Sequence, residues 1–107
     1  MMFSPKPESL GAVPLDALHD FLVRRGWVQK PSTNSRLRYY EHAEMFDDEG
    51  RRMWSYIPAS DRSSEYPSVV HEFIHNQAQF WDLAPEAVYA ELTGGPLAEP
   101  VRTSVPA

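Results

Sequence analysis

RLRYYEHAEMF (Arg36–Phe46), DDEG (Asp47–Gly50) and RRMWSYI (Arg51–Ile57) decide the fold. Two segments rich in aromatic and β-preferring residues flank a short acidic loop with a late glycine, which is the pattern of a β-hairpin. Side chains alternate along a strand, so Leu37 and Tyr39 share one face, and Met53, Ser55 and Ile57 share one face of the return strand. Pro58 stops that strand. A third, short strand is expected at Trp27–Lys30, closed by Pro31 and the polar loop from Ser32 to Ser35.

Helices are expected on both sides of the hairpin. From Pro14 to Arg25, Leu15, Leu18, Phe21 and Leu22 recur at helical spacing while Asp16, Asp20 and Arg24 face away. Pro14 suits the first turn, where its missing N–H costs nothing. Arg24 and Arg25 complement the negative end of the helix, and Gly26 accepts the left-handed stop. Downstream, Pro67 to Asp82 reads as a longer helix and Pro85 to Leu92 as a shorter one, ended by Gly94-Gly95-Pro96. The expected fold is therefore α+β: an N-terminal helix, a two- to three-stranded antiparallel sheet, and two C-terminal helices packed on one sheet face. Residues 13–94 form the single domain in this reading. Met1–Ala12, with Pro5 and Pro7 and no periodicity, is expected to be a flexible arm, and residues 95–107 a disordered tail.

Composition narrows the function classes. The 107 residues suit one small domain with a modest core. There is no cysteine, hence no disulfide framework, thiolate zinc cluster or cysteine nucleophile. No apolar run approaches the roughly 20 residues that span a bilayer, and the N-terminus lacks the layout of a signal peptide. A cytoplasmic location without membrane contact is the expectation. The formal charge is −5, yet most of the basic residues lie at or before Arg62, and after Ser63 only Arg102 opposes six acids. The middle of the chain can therefore face an anion although the whole is acidic.

The catalytic-looking string is HEFIH, His71–His75. On a helix, His71 and His75 lie on one face about 5–6 Å apart, where two imidazoles can ligate one zinc ion with Glu72 as the base acting on bound water. This pattern resembles that of zinc metallopeptidases. It needs a third protein ligand, and the metzincin continuation is excluded because Ala78 and Trp81 stand where glycine and histidine would. Asp82 lies about 10 Å further along the axis. Glu91, on the next helix, is the best remaining candidate, ahead of Glu86 and His42. The bland reading needs no metal: Val70, Phe73, Ile74, Gln77, Phe80, Trp81 and Ala84 make one core stripe, with His71 and His75 on its flank and Glu72 opposite.

A second candidate lies on the hairpin. Arg36, Arg38, Tyr40 and His42 alternate onto one face of the first strand, and Arg52, Trp54 and Tyr56 onto one face of the second. If the faces coincide, the sheet interleaves bases with aromatics, suited to phosphates and unpaired bases. Net acidity opposes nucleic acid, since phosphate affinity is largely electrostatic.

The chain from about Leu15 to Leu92 resembles a group of small bacterial α+β proteins of uncharacterised function. The resemblance rests on Gly26-Trp27 after a helix, a strand ending Ile57-Pro58, and then Tyr66, Val70, Ile74, Ala78, Pro85-Glu86 and Val88. Ala84 stands where those proteins carry a capping serine, and His71 and His75 are not part of their skeleton. The element order also resembles, by analogy alone, the double-stranded-RNA-binding-like fold of HicA-type mRNA interferase toxins. Their catalytic Gly-Ser-His is replaced here by Asn34-Ser35-Arg36, so ribonuclease activity does not carry over. The sequence thus reads as a small binding or regulatory domain without cofactor, its partner a protein or a nucleic acid. The alternative is a minimal zinc metallopeptidase built on His71, Glu72, His75 and Glu91.

Overall fold

The computed structural model describes residues 5–95. Helix α1 (Pro7–Gly11) and helix α2 (Leu15–Arg24) lead into strands β1 (Trp27–Lys30), β2 (Leu37–Phe46) and β3 (Arg52–Pro58), followed by helices α3 (Tyr66–Trp81) and α4 (Pro85–Leu92). The three strands form one antiparallel sheet in the order β1-β2-β3. The α+β expectation holds, with a three-stranded sheet. Helices α2 and α3 pack on its inner face, and α4 packs on α2 and α3.

Each element follows from its local pattern. In α2, Leu15, Leu18, Phe21 and Leu22 are buried on one stripe, and Gly26 takes the left-handed backbone (φ 91°) that ends the helix and starts β1. A Cβ at Gly26 would lie 2.9 Å from Nε2 of His42, so close packing as well as φ excludes a side chain. In α3, Val70, Phe73, Ile74, Gln77 and Ala78 are buried at helical spacing, and Asp82 (φ 57°) makes the left-handed stop. Between Asp47 and Gly50 the carboxylate of Asp47 accepts from the N–H groups of Glu49 and Arg51 (both 2.9 Å), closing the hairpin. Those bonds, led by the one from the Arg51 N–H, hold the Asp47 carboxyl below its ordinary pKa.

The segment expected as a flexible arm is different in its second half. Pro7–Gly11 is helical, Leu10 and Val13 are buried, and α1 packs on α3. The carbonyl of Val13 accepts a 2.7 Å hydrogen bond from the Tyr66 hydroxyl. The cause is tertiary: five residues are too few to form a stable helix alone, and α1 exists because Leu10 and Val13 find an apolar seat. The expected disordered tail lies, apart from Gly95, outside the described residues.

The core is one cluster centred on Leu18, Phe21, Leu22, Tyr40, Ile57, Tyr66, Val70, Ile74 and Val88. It sits between the inner sheet face and the helices, and the opposite sheet face carries no helix among the described residues.

Candidate functional site

The HEFIH helix places its three polar residues as the core stripe dictates. His71 is half-buried, while Glu72 and His75 are exposed, and the two imidazole centroids lie 4.5 Å apart. The third ligand is where the zinc reading fails. Glu91 is buried in α4, its side chain only 1% exposed, between Arg24 and Arg25 at the end of α2. Its Oε2 accepts from Nε and Nη2 of Arg24 (3.1 and 2.8 Å) and from Nη1 of Arg25 (2.8 Å), and its Oε1 accepts from Nη2 of Arg25 (2.7 Å). A carboxylate holding four charge-assisted hydrogen bonds to two guanidiniums is a structural anion that ties α4 to α2. It is not a ligand waiting for a cation. Among the described residues no group of three His, Asp or Glu side chains comes together as a metal site.

The basic-aromatic surface expected from the hairpin also has to be redrawn. In the observed register Arg38 lies opposite Ile57 and Tyr40 opposite Ser55, whereas Tyr39 lies opposite Tyr56 and Glu41 opposite Trp54. Cross-strand partners share a face, so Arg38, Tyr40 and His42 point inward while Trp54 and Tyr56 point outward. The two expected half-faces do not coincide. Tyr40 is fully buried, its hydroxyl 2.7 Å from Nδ1 of His19, and burial raises its pKa against the opposing charge of Arg38. It is a core residue, not a binding one. Arg36, exposed, precedes β2 and is held in the turn by its N–H to Oδ1 of Asn34 (2.9 Å).

His42 is buried for a structural purpose that its place in the strand pattern did not reveal. Its Nε2 lies 2.7 Å from the Arg25 carbonyl, and its Nδ1 accepts from the N–H groups of Glu44 and Met45 (3.0 and 3.2 Å). This pattern assigns the neutral ring with the proton on Nε2. The ring satisfies the backbone where the β2–β3 pairing is irregular, between Glu41 and Phe46.

The outer sheet face is the surface that remains. Trp54 is 59% and Tyr56 50% exposed, with their rings stacked at 6.0 Å and 15°. Tyr39 continues the row at 6.4 Å from Trp54. Its hydroxyl donates to Glu41 (3.0 Å), and burial first, then that carboxylate, raises its pKa. These three rings, with Leu37 and Pro31, line an open hollow of about 390 Å³ whose polar rim is Ser32, Thr33 and Asn34. Neighbouring positions of the face include exposed Val28 and Lys30, and Arg52, whose guanidinium stacks on Phe46 at 4.9 Å and donates to the carbonyls of His42 and Ala43. Of the expected surface, Arg52, Trp54 and Tyr56 therefore lie on the outward side, joined by Tyr39, which alternates with Arg38 and Tyr40 along β2.

A second hollow, of about 370 Å³, runs between β3 and α3 and is lined by Met53, Ser55, Ile57, Val69, Phe73 and Glu72 among others. Comparison with protein-family models, curated proteins and solved structures returns no match for this chain.

Proposed function

We propose that this chain is a non-catalytic binding domain that holds a protein partner on its outer sheet face, through Tyr39, Trp54 and Tyr56. The observation that carries this reading is the stacked pair Trp54–Tyr56, both at least half exposed on the face that no helix covers among the described residues. An antiparallel sheet with one wet face ordinarily alternates apolar-in with polar-out. Here the outward positions instead carry Val28, Leu37, Tyr39, Trp54 and Tyr56. Tryptophan and tyrosine dominate binding hot spots because they contribute large, rigid area at low entropic cost and keep a polar tip.

Charge decides between the partner classes. Lys30 and Arg52 on this face are partly offset by Glu41, Arg38 is turned inward, and the chain carries −5 overall. Nucleic acid binding draws most of its affinity from phosphate neutralisation, which this face supplies poorly. Protein interfaces need the reverse, a charge-depleted centre with aromatic anchors.

The test is affinity capture from extract of the native host with three proteins: wild type, the double variant Trp54→Ser/Tyr56→Ser, and Val23→Ser. Val23 is equally exposed but lies on α2. A protein partner retained by wild type and Val23→Ser, resistant to nuclease, and lost from the double variant is the expected outcome. Retained nucleic acid that falls away with salt would transfer the face to the other class. Equal retention by all three proteins would retire it.

A further inference from the structure

Among the described residues strand β3 is an edge of the sheet, and the middle of its free side, from Met53 to Ile57, has none of the protection that edges ordinarily carry. The direction of its backbone groups follows from one bond. The Ala59 N–H donates to the Arg36 carbonyl (2.9 Å) at the end of the ladder. Hydrogen-bonded pairs alternate in an antiparallel ladder, so Arg38–Ile57 and Tyr40–Ser55 are bonded pairs while Tyr39–Tyr56 and Glu41–Trp54 are not. The N–H and C=O groups of Trp54 and Tyr56 therefore point away from β2, toward the open side.

Proteins guard such edges with charges, prolines or bulges. The opposite edge, β1, obeys this rule: it is four residues long and ends Lys30-Pro31. β3 does not. From Met53 to Ile57 it has no charged residue, and its outward side chains are the two exposed aromatics.

We infer that β3 pairs with β3 of a second copy of this chain, antiparallel about a twofold axis through Ser55, giving a six-stranded sheet. Three features of the strand favour a second copy over an unrelated segment. In this register Trp54 of one protomer and Tyr56 of its partner form a bonded pair, and the symmetric pair repeats it, so the outward-pointing N–H and C=O groups of Trp54 and Tyr56 on both edges are satisfied. Ser55 meets its own copy at the axis, in the non-bonded geometry where Cα atoms approach to about 4.5 Å and a small side chain is needed. The ladder is also bounded symmetrically, because Arg52 falls opposite Pro58, which has no N–H to continue it. The pairing sets the two outer faces side by side, and Trp54 and Tyr56 of each protomer become cross-strand neighbours. Tyr39, Trp54 and Tyr56 then form one row across both protomers.

The interface is small. About half of two aromatic side chains of roughly 150–250 Å² each, with the strand edge, falls well below the ~800 Å² per partner of a standard interface. Association is consequently weak and concentration-dependent. Light scattering from about 10 µM to about 1 mM, which brackets weak association, should show the mass rising from 12.2 kDa toward twice that value. Ser55→Lys, which sets two like charges at the axis, should hold the mass at the monomer value, with circular dichroism confirming its fold.

The cysteine-free chain permits a second test that does not depend on that variant folding. Ser55→Cys should oxidise to a covalent dimer, since paired Cβ atoms at the axis come within disulfide range. Ser68→Cys, exposed on α3, should stay monomeric under the same conditions. A wild-type mass fixed at 12.2 kDa throughout, or a dimer that Ser55→Cys fails to trap, overturns the inference.

Discussion

Glu91 shows how much one buried carboxylate decides in a domain of this size. Its side chain is almost fully enclosed and takes hydrogen bonds from both arginines that end α2. Removing one partner of a buried charge network is costly because the remaining charges have lost their compensation. Glu91→Ala is therefore expected to lower unfolding stability by about 3 kcal/mol, read as a shift in the urea midpoint at unchanged slope. The same residue was the best candidate for a third zinc ligand from sequence alone. A signal of its real role was nonetheless present: Glu91 recurs with Val88 and Leu92 on the apolar stripe of α4, where a carboxylate is tolerated only beside buried cations. What the sequence does not carry is the identity of those cations, which lie 66 and 67 positions earlier.

At the scale of elements, the helices and strands were largely legible because each is written in a local period. The exceptions are instructive. Helix α1 has too few residues to declare itself and is induced by its contact with α3. The irregular β2–β3 pairing depends on the His42 ring reaching backbone groups two and three residues on, and the Arg25 carbonyl seventeen residues back. Helix α4 opens at Ala84, whose backbone is extended but whose side chain cannot accept from the first turn. Ala84→Ser supplies that acceptor and should raise stability by about 1 kcal/mol, measurable as a higher melting temperature.

For the whole molecule, the joint between the N-terminal segment and α3 sets a limit on alkaline stability. The Tyr66 hydroxyl, buried against the Val13 carbonyl, has its pKa pushed up to about 12, by burial first and then by the charge of Asp61. A folded-state pKa raised above the unfolded value near 10 means that folding favours the protonated phenol. That contribution is whole below about pH 10 and is lost as pH climbs from there to about 12. Ultraviolet titration alongside circular dichroism should show a tyrosine step near the top of that range, together with loss of helix. Tyr66→Phe should lose that late step. Placement of the functional surface belongs to this scale too. Alternation along each strand, read locally, already separated Trp54 and Tyr56 from Ser55 and Ile57, and helical period already separated His71 and His75 from the core stripe. The sequence by itself determined the α+β class, the order of elements from α2 onward and which residues share a face of each strand, because those depend on neighbours within a few residues. Tertiary structure alone decided that Tyr40 turns inward while Tyr39 joins Trp54, and that Glu91 serves two arginines. Strand register and the packing of distant charges depend on which segments meet across the fold, and no local period encodes that choice.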